Sequence, residues 1–552
     1  MKSIRSIALM VIIAGLASCE NKNRINAYQD GDEFTAQTIE GIDMLFKVIS
    51  AADKIVQVGN GDSKEHPLLN ELAAIDQQFE GKVTIPQEVN GFRVTRISKC
   101  AFFKCKIAKA EIPEGIIILN EDAFFDCENL KEIVLPNSLT TIEGGAFYNC
   151  KELASIHIPQ NVDFLSTDAF YRTALRFISV DQKNKKYNSP NNSNAIIETS
   201  TKTLIKGCCN TIIPEDIEAI GDKAFYGCVD LTSIQIPSSV KTIGKSAFAE
   251  CKLTKIQIPE NVIKIAENAF YGNTLLKEIA VDENNPNFDS RNNSNAIVET
   301  LTNTLVLGCK NSKIPNDIKA IGDNAFHGCS DLKNIIIPCS VESIRKNAFS
   351  GCGLVSVTIP SNVKDIGEFA FAYCFHLEKI LLSEGVEHIG DQAFESTNIQ
   401  RILIPASVGI IGNGVFKDCF VLESIIVDSR NTRFDSRHNC NAIILSNTNS
   451  LRAGCMNTII PDDVTKIEED AFGGFAPSHI VIPSAVTEIG EHALGGGGNV
   501  VISLILEPFD VPEITITPID TLYVPQGTKE KYEKYWGRKR AKNIVELKES
   551  FM

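Results

Sequence analysis

Seventeen cysteines in 552 residues are the side chains with most chemistry to offer, and their spacing decides which chemistry is open to them. Nine stand three residues after a phenylalanine: Cys105, Cys127, Cys150, Cys228, Cys251, Cys329, Cys352, Cys374 and Cys419. A zinc site needs four ligands converging on one point, whereas one thiol per repeat spreads them apart. Thr173, Asn273 and Thr397 occupy the same slot. The slot therefore asks for a small, weakly polar side chain that satisfies backbone groups at a buried turn. Cys208, Cys309 and Cys455 form a second set, each after a glycine. Free buried thiols are expected, with disulfides between neighbouring repeats as the alternative. Cys19 differs. It follows Leu16-Ala17-Ser18, behind Lys2, Arg5 and an apolar run over residues 7–16 that is too short to span a bilayer. That layout has the form of a bacterial lipobox, in which acyl chains on Cys19 anchor by about 0.8 kcal/mol per buried CH₂. An ordinary signal peptide is the alternative.

Other reactive types give no constellation. The eight histidines occupy unrelated places: His157 on a strand, His327 where a sister repeat has Tyr226, His438 in an insertion. None has a nucleophile or acid at a recurring offset, so no catalytic residue is assigned. The glycine run 495–498 lacks the Gly-Lys-Ser/Thr of a phosphate loop. Asp30-Gly31-Asp32 lacks the further ligands of a calcium loop, and the Asn-rich stretch 281–295 is expected to be a polar loop tip rather than a calcium site. No metal or cofactor is expected. Fifty-four Lys and Arg against 69 Asp and Glu leave a net charge of −15, which disfavours nucleic acid as a partner.

The elements that carry these residues are repeats. Ala-Phe recurs with Phe at 102, 124, 147, 170, 225, 248, 270, 326, 349, 371, 394 and 472, while Val415-Phe416 and Ala493-Leu494 fill two further slots. Intervals are 22 or 23 residues except for three of 55 or 56. The unit is L-x-x-I-x-I-P-x-x-V-x-x-I-G-x-x-A-F-x-x-C, the periodicity of a leucine-rich-repeat solenoid. In each coil I-x-I-P reads as a short strand, stacked in parallel on the next and ended by proline. Gly221, Gly244, Gly322 and Gly390 are expected to permit the following bend. Thirteen of the 29 phenylalanines then form one core column. The three long intervals carry an Asn-rich loop and a β-hairpin before another strand, such as TIIP at 211–214. About seventeen coils result.

The pattern resembles the BspA-type leucine-rich-repeat surface proteins of Gram-negative anaerobic bacteria over nearly the whole chain. GKVTIPQEVNGFRVTRISKCAF (81–102) resembles the family's first coil, and TLYVPQGTKEKYEKYWGRKRAKNIVEL (521–547) its C-terminal cap. The expected fold is a solenoid of stacked 22–23-residue coils with a parallel β-sheet face, three enlarged coils with hairpin insertions, and capped ends. The chain divides into a signal peptide (1–18), a lipidated tether (19–33), an N-terminal cap and first coil (34–101), the solenoid (102–500) and a C-terminal cap (501–552). In that cap Tyr532, Tyr535 and Trp536, at helical spacing, are expected to cover the last coil. The resemblance implies a non-catalytic, surface-exposed, outer-membrane protein that binds macromolecules such as matrix proteins, with adhesion among the roles of relatives.

One row of residues rises above this background. The outward residue of each strand should be polar where water faces it. His157, Ser179, Gln235 and Gln257 obey, with Val134 and Ile212 as exceptions. Further on the row becomes Ile336, Leu381, Leu403, Ile426, Ile459 and Val481, interrupted by Thr358. The neighbouring outward row, including Asn334, Ser356, Lys379, Arg401 and Ser424, stays polar. An exposed apolar stripe marks a candidate binding surface for a protein or glycan; β-propensity alone is the plain alternative. The leading expectation is thus a monomeric binding protein, touching membrane only through its N-terminal lipid. A cell-envelope spacer with no external ligand is the alternative.

Overall fold

The computed structural model describes residues 28–61, 73–474, 479–494, 500–504, 508 and 519–547. Two compact units emerge, residues 1–252 with 264–270, and residues 253–263 with 271–552. Both are built from one recurrent coil. There are about 19, spaced near 23 residues. Beyond the seventeen expected from the Ala-Phe slots and the three insertions, Val500–Ser503 and Ile519–Val524 continue the parallel pairing without that signature.

Every coil has two strand segments. In the outward-row segment the flanking residues point in: Ile380 and Ile402 are buried on either side of their strands' exposed positions. These strands pair in parallel and in register, Thr358 with Leu381 and Leu403 with Ile426. Their ladders are short, because the proline that ends most of them has no N–H to donate. The second segment is only two residues long and forms the longer ladder. In the second unit it runs in register through Ala320–Ile321, Ser343–Ile344, Asp365–Ile366, His388–Ile389 and Ile410–Ile411.

The Phe column is a stack of near-parallel rings. Centroids lie 4.8 Å apart for Phe102 and Phe124, 5.3 Å for Phe147 and Phe170, and 5.2 Å for Phe349 and Phe371. Where one coil follows another directly, the Phe N–H donates to the carbonyl one residue before the next column residue, as Phe124 does to Ala146 and Phe349 to Ala370, both at 2.8 Å, and Phe394 to Val415.

The glycine expectation needs correction. Gly244 and Gly390 have no left-handed backbone; a Cβ there would stand 2.6 Å from the backbone nitrogens of Asp222 and Glu368 in the preceding coil. Close approach between coils, not the bend, demands glycine. The bend uses the residue two before Phe, left-handed at Asp122, Lys223, Asn324 and Gln392.

The insertions are three-stranded antiparallel additions to the short-strand ladder. In the second, Phe288–Asp289 pairs with Ile297–Glu299, which pairs with Thr304–Leu307, whose other edge meets Ala320–Ile321 in parallel. Their asparagines have structural work. Asn285 Nδ2 donates to the carbonyls of Pro259 and Val262, while its Oδ1 accepts from the N–H groups of Asn287 and Phe288. Asn184 and Asn431 repeat the arrangement. Asn292, Asn293 and Asn295 adopt left-handed backbone, which asparagine tolerates. The predicted TIIP strand at 211–214 does not form. Its backbone is taken by the loop instead: Ile212 N–H donates to Ser193, and Thr211 Oγ1 to Asn194.

In the first unit Glu33–Gln37, Asp43–Ser50 and Ile55–Val58 are antiparallel, and the last joins Phe92–Ile97 in parallel. In the second, the helix Lys529–Tyr535 buries Tyr532 and the adjacent Trp536 against a core including Val501, Leu522 and Val524.

Candidate binding surface

The cysteine slot resolves into a hydrogen-bond ladder. Six of the nine thiols reach back to the Phe carbonyl of the preceding coil: Cys127 to Phe102 (2.9 Å), Cys150 to Phe124 (3.2 Å), and Cys251, Cys352, Cys374 and Cys419 to Phe225, Phe326, Phe349 and Phe394 (3.1 Å each). Cys228, after an insertion, reaches Gly207 instead. Thr173 and Thr397 do comparable work from the same slot, donating to Phe170 and Phe394. All described cysteines are free. Burial pushes the Cys374 thiol up to about 12 and that of Cys419 to about 11, far from the thiolate range a nucleophile requires. Cys339 alone among them is exposed. Cys19 and the glycine run 495–498 lie outside the described residues.

Among the described residues no three His, Cys, Asp or Glu side chains are placed to share a metal ion. The Asp and Arg of the insertions are spent on each other: Arg291 holds Asp289 at 2.6 Å and Asp317 at 2.7 Å, and Arg437 repeats this with Asp435 and Asp463. Asp30 and Asp32 accept from the backbone N–H groups of Ala51 and Gln29. His388 pairs with Asp365 of the adjacent coil at 2.5 Å, next to the Lys364–Glu387 bridge at 2.8 Å. Such exposed cross-coil pairs contribute little stability. No described helix is long and apolar enough to cross a membrane.

The apolar row is where the distinctive surface lies. All six residues belong to the second unit. Each is exposed, from 46% at Val481 to 84% at Ile336. Leu381, Leu403 and Ile426 stand on successive strands, with the polar Lys379, Arg401 and Ser424 beside them. Ile336 and Ile459 lie on coils whose outward segment is not a regular strand. Register carries the row past Val481 through Ile502 to Tyr523 and Val545, two members the sequence pattern did not single out. The same coils also expose Phe375 and Phe420, each directly after a ladder cysteine. The repeat unit itself could have shown these two, since the slot after Cys is otherwise small or polar in most coils.

No curated protein matches the chain. A leucine-rich repeat protein from Eubacterium ventriosum is 18% identical, with 84% of this chain and 95% of that one covered at a TM-score of 0.41. A leucine rich cell surface protein from Faecalibacterium prausnitzii is 20% identical, covering 84% and 97% at 0.38. A leucine-rich repeat protein from Bacteroides ovatus is 18% identical, covering 94% and 100% at 0.27. The BspA type leucine rich repeat region matches in six copies over residues 78–197, 206–304, 303–423 and 443–506, leaving out little more than the ends, a hairpin turn and an Asn-rich loop. With the coil, the Phe column and the cysteine ladder in place over the same residues, the chain belongs to the BspA-type leucine-rich-repeat family.

Proposed function

We infer that the protein is an exported, non-catalytic binding protein, anchored at the outer membrane through lipid on Cys19 and facing the exterior. Its outward strand row takes up a macromolecular ligand, a protein or glycan. One observation carries this reading: at one recurring outward strand position, beside the polar row of Lys379, Arg401 and Ser424, the residues Ile336, Leu381, Leu403, Ile426, Ile459 and Val481 hold apolar side chains in water. Solvent does not select such a row, and exposed apolar patches on solenoid faces mark contact surfaces. Family membership supports the binding role, and the lipobox-like Leu16-Ala17-Ser18-Cys19 supports the anchor.

The test pairs Leu381→Asp with Leu403→Asp and screens the protein against immobilised matrix proteins and a glycan array. Both side chains are about half exposed, so covering what remains is worth about 1 kcal/mol each. Together that is about 30-fold in affinity. Unchanged circular dichroism with at least that loss is expected. Unchanged binding would refute the row as the contact surface, and the absence of any ligand would favour the envelope spacer. Protection of the protein from added protease on intact cells, with cleavage after lysis, would rule out the exterior placement.

A further inference from the structure

The three insertions are internal copies of one another, so a residue that departs from its two counterparts stands out. Lys206, on the strand Thr203–Gly207, is such a residue. Its counterparts are Leu307 and Ala453, each just before the Gly-Cys pair and each buried. The glycine that follows is fixed in all three, because a Cβ there would meet the next Phe ring at 2.1 to 2.3 Å. Local packing is therefore the same, and only the first copy places an ammonium in an apolar position. Lys206 is 4% exposed.

A cleft of about 520 Å³ opens at this point within the first unit, a size usual for small-molecule sites. Lys206 lines it together with Arg172, Lys151, Asp230 and Glu250, and Leu175 and Val229 supply apolar wall. The other charges are already paired. Arg172 meets Glu250 at 3.3 Å, Lys151 meets Glu128 at 2.6 Å, and Asp230 meets Arg176 at 3.4 Å. Glu250 also accepts from the hydroxyls of Tyr171 and Tyr226. The Lys206 ammonium makes no ion pair or hydrogen bond to the described residues, although its side chain as a whole is covered. An ammonium that the protein leaves unpaired on a cleft wall gains a charge-assisted hydrogen bond from a bound anion.

We propose that this cleft binds a hydroxylated carboxylate of monosaccharide size, an acidic sugar, with its carboxylate on Lys206. The ammonium repels cations. Asp230 and Glu250 in the same cleft disfavour polyanions but can accept from sugar hydroxyls. The site is separate from the strand row of the second unit, so either can fail without the other.

Isothermal titration of the full chain with D-glucuronate, D-glucose, acetate and sulfate tests it. Glucuronate should saturate one site, at least tenfold tighter than glucose or acetate, and weaken as salt rises. Lys206→Leu, which installs the residue of the second insertion, should lose glucuronate at least tenfold while its melting temperature holds or rises. Should that variant unfold, Lys206→Met serves with the same expectation. No saturable glucuronate binding, or equal binding by the folded variant, overturns the proposal and leaves Lys206 a lysine reaching for water. Sulfate binding as tightly as glucuronate overturns the acidic-sugar assignment.

Discussion

Replacing Phe349 by alanine is the sharpest test of the column of rings. Phe349 is fully buried and lies 5.0 Å from Phe326 and 5.2 Å from Phe371, with planes 10° and 12° apart. Removing such a ring costs about 3–5 kcal/mol in lost burial and residual cavity. Roughly 1–2 kcal/mol of this comes from the two stacked contacts. That is a large share of the ~5–15 kcal/mol that holds a domain together. In a stack where each coil touches only its neighbours, the loss should also be local. Urea unfolding followed by circular dichroism measures the cost. Hydrogen exchange with mass spectrometry locates it, through bonds such as Phe326 N–H to Ala348 and Phe349 N–H to Ala370. Exchange should rise around residues 321–371 and fade over the next coils. Phe375→Ala is the matched control, since Phe375 is 60% exposed and its removal should stay within about 0.5 kcal/mol. Equal costs for the two variants, or a Phe349→Ala cost below about 1 kcal/mol with unchanged exchange, would refute the reasoning.

Two further outcomes follow from the same packing. A thiol reagent at pH 8 should label the exposed Cys339 at once and the half-buried Cys209 and Cys228 slowly, while the buried ladder thiols such as Cys374 and Cys419, whose pKa burial raises, react only on unfolding; rapid labelling of Cys374 or Cys419 would contradict the ladder. Burial holds His327 below the ordinary histidine value of 6.5, with its Nδ1 unsatisfied and its Nε2 3.2 Å from the Tyr271 hydroxyl. The unfolded chain therefore takes a proton near 6.5 that the folded one refuses, so stability falls as pH drops below that value. His327→Tyr, matching Tyr226 of the sister coil, should flatten this loss in urea titrations between pH 5 and 7.

The Ala-Phe phase made the core legible before any coordinates, because one coil is written many times and a single misfit cannot hide its period. The same phase placed the cysteines correctly as backbone donors, since threonine and asparagine trade with them. Which strand segment carries the long ladder was not legible. Proline at the end of I-x-I-P removes a donor there, and the two-residue segment, unremarkable in sequence, inherits the pairing. The role of Gly244 and Gly390 was misassigned for a related reason: closeness between coils is a property of the stack, not of the turn. Lys206 was readable only by laying the three insertions over one another, where it faces Leu307 and Ala453. The apolar row was visible from alternation, but Tyr523 and Val545 enter it through register at coils that lack the signature.

The joints between coils carry a consequence for how such a chain can change over generations. At most joints between directly successive coils a Phe amide points forward to the next alanine carbonyl, and at several a thiol points back to a Phe carbonyl. Duplicating or deleting one whole coil recreates an identical joint, whereas a slip of one residue breaks every bond at two of them. Copy number is thus free to drift by unequal recombination while reading phase is held. The hairpin additions mark the other permitted kind of growth, between the outward strand and the Ala-Phe turn: 32 or 33 extra residues interrupt the ring stack, and Gly207, Gly308 or Gly454 takes the place of a ring and donates to the next Ala carbonyl, so the column restarts beyond it.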